Sequence, residues 1–198
     1  MTEIGSSVVA ETCAQCGKTL STGDRVASGD KVFCGSCYAS LRAELEHAVG
    51  SMSTDIPWAK AAAGAVLGGA AGALAWWGFT VITHVALGLI AVAIGFLTGQ
   101  GVVRFSGGKR SAGLQGLSVA VAVLSFFFAT YLVNMTLINK MLAEKGTPGH
   151  VPFPPTSPDM FLRVISAGFG VMDLVFLAIA IYEAWKIPRP VKLPRAPA

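Results

Sequence analysis

Four cysteines arranged as two C-x-x-C pairs are the residues of this chain whose spacing defines a chemistry. Cys13 and Cys16 form the first pair, Cys34 and Cys37 form the second, and residues 17–33 lie between them. Two pairs of thiolates supply the corners of a tetrahedral Zn²⁺ site, with each pair filling two neighbouring corners. The pattern therefore predicts one structural zinc ion bound by all four cysteines.

Other chemistries use the same residue type. Rubredoxin-like iron also takes two C-x-x-C pairs, although those pairs usually contain proline and are further apart. A redox-active pair would need a βαβ context that the sequence lacks. Disulfides would need an oxidising compartment. Residues 1–10 have neither the basic start nor the apolar run of a secretory signal, which favours a cytoplasmic start and reduced thiols. Zinc is preferred on these grounds, and iron stays open as the alternative.

The residues around the cysteines predict a knuckle, a hairpin and a helix, in that order. Gly17 tolerates the positive φ of a tight turn after the first pair. Short strand-like segments at 25–27 and 31–33 are separated by turn-forming residues. Residues 38–47 carry leucines at helical spacing.

This order resembles a treble-clef zinc finger, and residues 33–38 followed by a helix resemble one module of LIM-type fingers. The resemblance covers roughly residues 12–48. Many LIM modules have histidine as the third ligand, where this chain has Cys34. The resemblance implies a bound metal and a small fold, but it does not imply a particular partner.

The remainder of the chain has the composition of a membrane protein. Only 13% of the 198 residues are charged, and the mean hydropathy is +0.61. Residues 61–103 contain no Asp, Glu, Lys or Arg. One crossing of a bilayer needs about 20 apolar residues, so this stretch is long enough for two.

The predicted fold class is an all-α membrane protein, a four-helix transmembrane bundle preceded by the small treble-clef-type finger. The expected organisation is a head at 1–50, a linker at 51–59, transmembrane helices within 60–187 at about 60–77, 79–98, 114–133 and 161–185, a proline-rich outer loop at 140–160 that favours an extended strap, and a basic, proline-rich tail at 188–198. Gly78 is expected to separate the first two helices in a tight hairpin, with Trp76 and Trp77 at the membrane interface. The first span, 60–77, is the weakest, and a re-entrant or interfacial course for it stays open.

Basic residues predict the orientation. They crowd the segment between the second and third spans and the tail after the fourth, as Arg104, Lys109, Arg110, Lys186, Arg189, Lys192 and Arg195. Because cytoplasmic loops carry an excess of Lys and Arg, both segments are expected in the cytoplasm. The prediction is therefore an inner-membrane protein with both termini cytoplasmic.

Small residues recur along one face of three predicted spans. The sets are Gly64, Gly68 and Gly72; His84, Gly88, Ala91 and Gly95; and Ser118, Ala122, Ser125 and Ala129. Such faces let helices approach closely, which favours association in a membrane. They predict packing within the bundle, with other membrane subunits or with further copies, and the sequence leaves the choice open.

Asp173 is the one carboxylate expected near the middle of a span. His84 is the obvious candidate mate, but it is expected to lie about 10 Å shallower, so a direct pair is not predicted. A central Asp is costly in a bilayer, so it is expected to face protein. It is a candidate proton or ion relay, a candidate contact with another subunit, or simply a hydrogen-bonded structural residue.

No set of residues in the sequence has the pattern of a catalytic site, so an enzyme is not expected, and neither is a nucleic-acid partner. The chain resembles small multi-pass bacterial membrane proteins with an N-terminal zinc ribbon and no established activity. The expected function is a structural, assembly or interaction subunit of a membrane complex, whose zinc head contacts a cytoplasmic protein. The alternatives are a small ion- or proton-coupled transporter or channel using Asp173, and a redox subunit with iron in the four-cysteine site.

Overall fold

A short hairpin and a helix follow the first cysteine pair, and further helices follow them, in a computed structural model that describes residues 11–21, 23–83 and 89–193. The described elements are β1 (Arg25–Ser28), β2 (Lys31–Cys34), α1 (Gly35–Ser51), α2 (Trp58–Thr83), α3 (Leu89–Phe105), α4 (Ala112–Glu144), α5 (Pro158–Ser166) and α6 (Val171–Lys186). They divide into two units, one of residues 11–51 with 191–193 and one of residues 52–190. The prediction of a mostly helical chain with a cysteine cluster near its start is confirmed.

The helical unit is built on close contact between α2 and α3. A Cβ atom added at Gly64 would overlap the carbonyl oxygen of Gly101, and one added at Gly101 would overlap that of Gly64. One turn further along α2, a Cβ at Gly68 would overlap the carbonyl oxygen of Leu97. Absent side chains therefore let the two backbones touch, which is how small residues favour helix association in a membrane.

Helices α4 and α6 complete this packing. Gly69 of α2 faces Ser125 of α4, and Gly95 of α3 lies against the backbone of Ala180 in α6. In the core, Trp76 meets Phe126 edge to face with ring centroids 4.8 Å apart. The small-residue faces of 64–72 and 118–129 are thus used inside the chain. His84 and Gly88 lie outside the described residues.

The hairpin expected at Gly78 is not found, because α2 continues through this glycine to Thr83. A glycine inside a helix costs only about 1 kcal/mol, whereas each backbone group left unpaired in lipid costs several. Trp76 and Thr80, on either side, are buried and hold the helix in place. The expected interfacial position of Trp76 is therefore replaced by a position in the core, while Trp77 donates to the Thr136 hydroxyl at 3.0 Å.

Two described helices, α2 and α4, are long and apolar enough to cross a membrane, and the bent pair α5–α6 gives a third candidate span if it counts as one. The apolar part of α3, Val92–Phe105, is shorter than a span. Within the described residues there are thus two or three candidate spans, so the predicted bundle of four is not confirmed.

The fourth predicted span, 161–185, is interrupted. Helices α5 and α6 meet at an angle of 110° across a short break. Asn134 of α4 donates its amide N–H groups to the carbonyls of Val164 (2.9 Å) and Ile165 (3.2 Å), which lie in the last turn of α5. Gly168 passes so close to the Asn134 amide that an added Cβ would lie 3.0 Å from its oxygen. This long-range clamp explains a break that helical periodicity did not predict.

Part of the predicted outer loop is also helical. Helix α4 extends beyond residue 133 to Glu144, and residues 145–157 then return along it. The Asn139 side chain donates to the Val151 carbonyl (3.0 Å) and accepts from the Val151 N–H (2.7 Å), and the Tyr131 hydroxyl donates to the Pro152 carbonyl (2.6 Å). The proline-rich strap is therefore attached to α4.

One end of the helical unit collects the basic segments. The Arg110 guanidinium donates to the carbonyl of Ile187 at 2.7 Å, just past the end of α6, and the Arg110 backbone N–H donates to the carbonyl of Met52 at 2.8 Å. Gln115 adds a bond to the Trp185 carbonyl at 2.9 Å. The start of this unit, the 104–111 segment and the end of α6 thus lie together.

Candidate metal centre

Each cysteine pair is held by its own local structure. After the first pair, Gly17 adopts φ 73° and donates its N–H to the Cys13 carbonyl at 2.9 Å, while the Cys13 N–H donates to the Lys18 carbonyl at 2.9 Å. These bonds close the knuckle that Gly17 predicted. A non-glycine residue would be strained in this left-handed conformation.

The second pair joins the hairpin to the helix. Strands β1 and β2 are antiparallel, with Arg25 opposite Cys34 and Ser28 opposite Lys31, and Gly29 turns between them at φ 62°. Cys34 is the last residue of β2, and Cys37 lies in the first turn of α1. The hairpin is itself attached to the knuckle, because the Ala14 N–H donates to the Val32 carbonyl at 2.9 Å.

The four sulfur atoms converge, as the spacing predicted. All four Sγ atoms lie within 4.8 Å of one another, and Cys16 Sγ is 3.9 Å from Cys34 Sγ. A tetrahedral ion with metal–sulfur bonds of about 2.3 Å would separate its ligand sulfurs by about 3.8 Å. The donor set and its spacing therefore fit one tetrahedral metal ion.

Hydrogen bonds to sulfur prepare the site for a cation. Backbone N–H groups of Cys16 and Cys34 lower the pKa of the Cys13 thiol to about 6, and the Cys34 N–H lies 3.3 Å from Cys13 Sγ. The Ser36 hydroxyl, 3.3 Å from Cys34 Sγ, is the main cause of a lowered pKa at Cys34. The adjacent sulfurs of Cys34 and Cys16 raise the pKa of Cys37 to about 12. The neighbouring sulfurs disfavour ionisation of the fourth thiol, and a bound cation would favour its ionisation.

This is the one group of three or more metal-ligating side chains within 11–21, 23–83 and 89–193. Cys13 and Cys34 are buried, Cys37 is half-buried and Cys16 is exposed. Around them pack Phe33, Leu20, Tyr38 and Leu41. The arrangement can bind a metal ion through four sulfurs, with no position left open for a substrate.

Asp173 lies elsewhere than expected. It stands in the first turn of α6 instead of the middle of a long span, and its Oδ2 accepts the N–H of Gly170 at 2.7 Å. Such a carboxylate satisfies a free N–H group and complements the positive end of the helix. The break between α5 and α6, which made this helix start possible, is the reason for the difference. His84, the other residue of this possible polar site, falls outside the described residues.

A cavity of about 540 Å³ lies beside Asp173 in the helical unit. Its lining includes Thr80, Thr130 and Asn134, and the aromatic rings of Trp76 and Phe176. The predicted third span ended at residue 133, so the sequence assigned no role to Asn134. The available signal was an amide directly after the apolar run of α4, where an unpaired amide would be costly.

No protein-family model, curated protein or solved structure matches this chain, so the metal centre and the cavity carry the functional argument by their own geometry.

Proposed function

We propose that this chain is a zinc-binding integral membrane protein that serves as a structural, assembly or interaction subunit of a larger membrane complex. The observation that carries the proposal is the convergence of four cysteine sulfurs within 4.8 Å in a unit joined to helices long and apolar enough to cross a bilayer. A metal ion bound by four sulfurs has no open position for a substrate. Such a closed site is typical of a structural ion, which stabilises a fold.

Zinc is the proposed metal because four thiolates in tetrahedral arrangement suit it, and because a site with no open position suits a structural ion. The knuckle, hairpin and helix around the site have the order of a treble-clef finger. Iron in the same four sulfurs is the alternative chemistry. Metal analysis of the purified chain with an absorption spectrum separates the two, since zinc is colourless and a ferric thiolate centre is red. About one equivalent of zinc supports the proposal, and a red iron-containing protein contradicts it.

An interaction role follows from what the helical unit leaves uncovered. The glycine faces of α2 and α3 are filled by neighbouring helices of the same chain. Large apolar side chains nevertheless stay exposed on the outer faces, among them Val66, Leu67, Leu74, Leu124, Leu174 and Val175. Lipid or other membrane subunits are the proposed neighbours for these faces, and a cytoplasmic protein is the proposed partner of the head.

The proposed location is the inner membrane of a bacterium, with both termini in the cytoplasm. The support is the shared position of the basic 104–111 segment and the end of α6 at one end of the helical unit. Positive residues favour the cytoplasmic side. Reduced cytoplasmic thiols would also keep the four cysteines available for metal.

Native purification tests the assembly role. The full chain, tagged at its C-terminus and gently solubilised, is expected to co-purify with other proteins in fixed ratio. Cys34→Ser is expected to lose a partner that binds the head but to stay in the membrane. Ser40→Ala, an exposed change on α1, is the matched control and should keep every partner. Recovery of the wild type only as a lone monomer would contradict the assembly role.

The 540 Å³ cavity beside Asp173 favours a second candidate, an ion- or proton-coupled transporter or channel. If this candidate is correct, liposomes containing the wild-type chain should show ion or proton flux. The flux should be lost in Asp173→Asn, which keeps an oxygen to accept the Gly170 N–H. Absence of flux from the wild type removes it.

A further inference from the structure

The cavity of about 540 Å³ has the size and composition of a ligand site. Pockets for small molecules range from about 300 to 1,000 Å³, with mostly apolar walls and a few placed polar groups. Here the polar groups are Thr80 of α2, Thr130 and Asn134 of α4, and Asp173 of α6. Three helices therefore contribute to one cavity.

Thr80 is the residue that points to a missing partner. Its side chain is 5% exposed, and Oγ1 has no hydrogen-bond partner among the described residues. The neighbouring Thr130 hydroxyl differs, since it donates to the Phe126 carbonyl at 3.0 Å. A buried hydroxyl without a partner costs about 1–3 kcal/mol. Thr80 also lines the cavity, so a polar group bound there would pair with this hydroxyl once the side chain turns toward it.

The other polar groups offer oxygen acceptors. Both hydrogen bonds that Asn134 makes to α5 use its amide nitrogen, which donates to the carbonyls at the end of that helix, so Oδ1 is left to accept. Asp173 uses Oδ2 to accept the Gly170 N–H, so Oδ1 is likewise left to accept. Asp173 is the only charged residue among the described residues that line the cavity. The site therefore favours a ligand that donates hydrogen bonds and carries positive charge.

The remaining walls are apolar and aromatic. Trp76 and Phe176 stand edge to face with centroids 6.3 Å apart, and Val133, Leu137 and Met172 extend the apolar surface. Aromatic rings attract a cation as well as covering an apolar body. An anion is disfavoured, because the lining includes no Lys, Arg or His among the described residues. A purely apolar ligand is disfavoured too, because it would leave the Thr80 hydroxyl unpaired.

We propose that this cavity binds a primary ammonium group attached to an apolar body. The three N–H donors of such a group match Thr80 Oγ1, Asn134 Oδ1 and Asp173 Oδ1 in number and kind. The apolar body lies against Trp76 and Phe176. A free organic amine and the ethanolamine headgroup of a phospholipid both supply this chemistry. The proposal is independent of the metal centre and of whether the ligand is moved across the membrane.

Binding of 2-phenylethylamine to the full chain in phosphatidylglycerol nanodiscs tests the ligand class. Binding of the amine is expected to be saturable. Its dissociation constant should be at least tenfold lower than that of 2-phenylethanol, which has the same apolar body without the charge. Calorimetry measures both, and empty nanodiscs correct for partitioning into lipid. Equal affinity for the two compounds, or no saturable binding of the amine, overturns the proposal.

Two substitutions test the assigned groups. Asp173→Asn keeps an oxygen for the Gly170 N–H but removes the charge, and it should weaken amine binding about tenfold or more. Thr80→Val preserves shape and should weaken binding several-fold. Ser118→Ala is the matched control, because Ser118 Oγ is also buried and without a partner among the described residues but does not line the cavity. Unchanged affinity in both test variants overturns the assignment, and their melting temperatures report whether they are folded.

The source of the ammonium group is found by changing the lipid. If phosphatidylethanolamine in the nanodisc raises the apparent dissociation constant of 2-phenylethylamine, the lipid headgroup occupies the same site. If the constant stays the same, the site takes a free amine. Either result, with the charge dependence above, supports an ammonium site.

Discussion

In the cysteine-containing unit the packing contacts centre on the four cysteines, whereas in the helical unit they are spread along the lengths of the helices. The first unit buries Cys13, Phe33 and Cys34, with a few partly buried neighbours. The second is held by backbone contacts such as Gly64 against Gly101 and by an aromatic core around Trp76. Small folds with little core usually need a metal or disulfides. The difference teaches that binding of one ion can determine whether the first unit folds, whereas folding of the second unit depends on many contacts.

Metal loss is expected to have the largest effect, and only in the first unit. Cys34→Ser, or a strong chelator, should unfold residues 11–51, because binding of a structural zinc ion is worth on the order of 10 kcal/mol. The helical unit should stay inserted. Limited proteolysis in membranes, with and without chelator, measures both regions. Equal resistance of the N-terminal region in the two conditions would show that its fold does not need the metal.

Substitution of a buried glycine is expected to destabilise the helical unit and to leave the cysteine-containing unit unchanged. Gly64→Ala places a Cβ against the Gly101 carbonyl and should destabilise the helical unit by about 1–3 kcal/mol through overpacking. Gly78→Ala in the same helix is the matched control, since no described atom other than its chain neighbours and the nearby backbone of α2 lies within 4 Å of the added Cβ. It should be neutral or stabilising by up to about 1 kcal/mol.

Unfolding of the two glycine variants in detergent, followed by circular dichroism, gives the comparison. Metal content should be unchanged in both. Equal stability of Gly64→Ala and Gly78→Ala would mean that the α2–α3 backbones are not in the described contact.

The proline-rich strap, residues 145–157, should respond to a change at Asn139 without affecting the other elements. Asn139→Ala removes both bonds to Val151, a loss of about 1–3 kcal/mol that falls on residues 145–157. Faster hydrogen exchange at Val151 is the expected result. Lys140→Ala, at an exposed neighbouring position, serves as control and should leave exchange unchanged. No difference between the variants would contradict an attached strap.

The smallest effect is expected at the surface of α1. Arg42 and Glu46 form an i,i+4 pair at 2.8 Å, with 31% and 54% of their side chains exposed. Exposed pairs of this kind are worth about 0.3–0.5 kcal/mol. Glu46→Gln should therefore barely move the chelator concentration at which metal is released, and added salt should abolish the shift. A large shift would show that the head depends on more than its metal.

The metal centre was predictable because its geometry is local. A knuckle closed by Gly17, a hairpin and a helix whose first turn contains Cys37 all follow from neighbouring residues, so spacing alone placed the four sulfurs together. That they hold an ion, and that the ion is zinc, stays a prediction.

Helix limits in the second unit depend on distant contacts. Gly78 reads as a turn in the sequence, but packing of its neighbours carries α2 past it. The break after α5 depends on Asn134, some thirty residues earlier in the chain. The position of Asp173 as a helix cap follows from that break. Periodicity contains no information about such contacts, which explains why the described helix limits differ from the predicted ones.

The 110° angle between α5 and α6 limits how the two helices can be oriented in a membrane. If α6 runs along the bilayer normal, α5 lies within about 20° of the membrane plane. Its buried Val164 and Ile165 face the unit, and the exposed Asp159–Arg163 pair marks its polar surface. Helices that lie in the interface follow the local composition and curvature of the lipid. Residues 158–166 would therefore lie against the membrane surface while α6 crosses it.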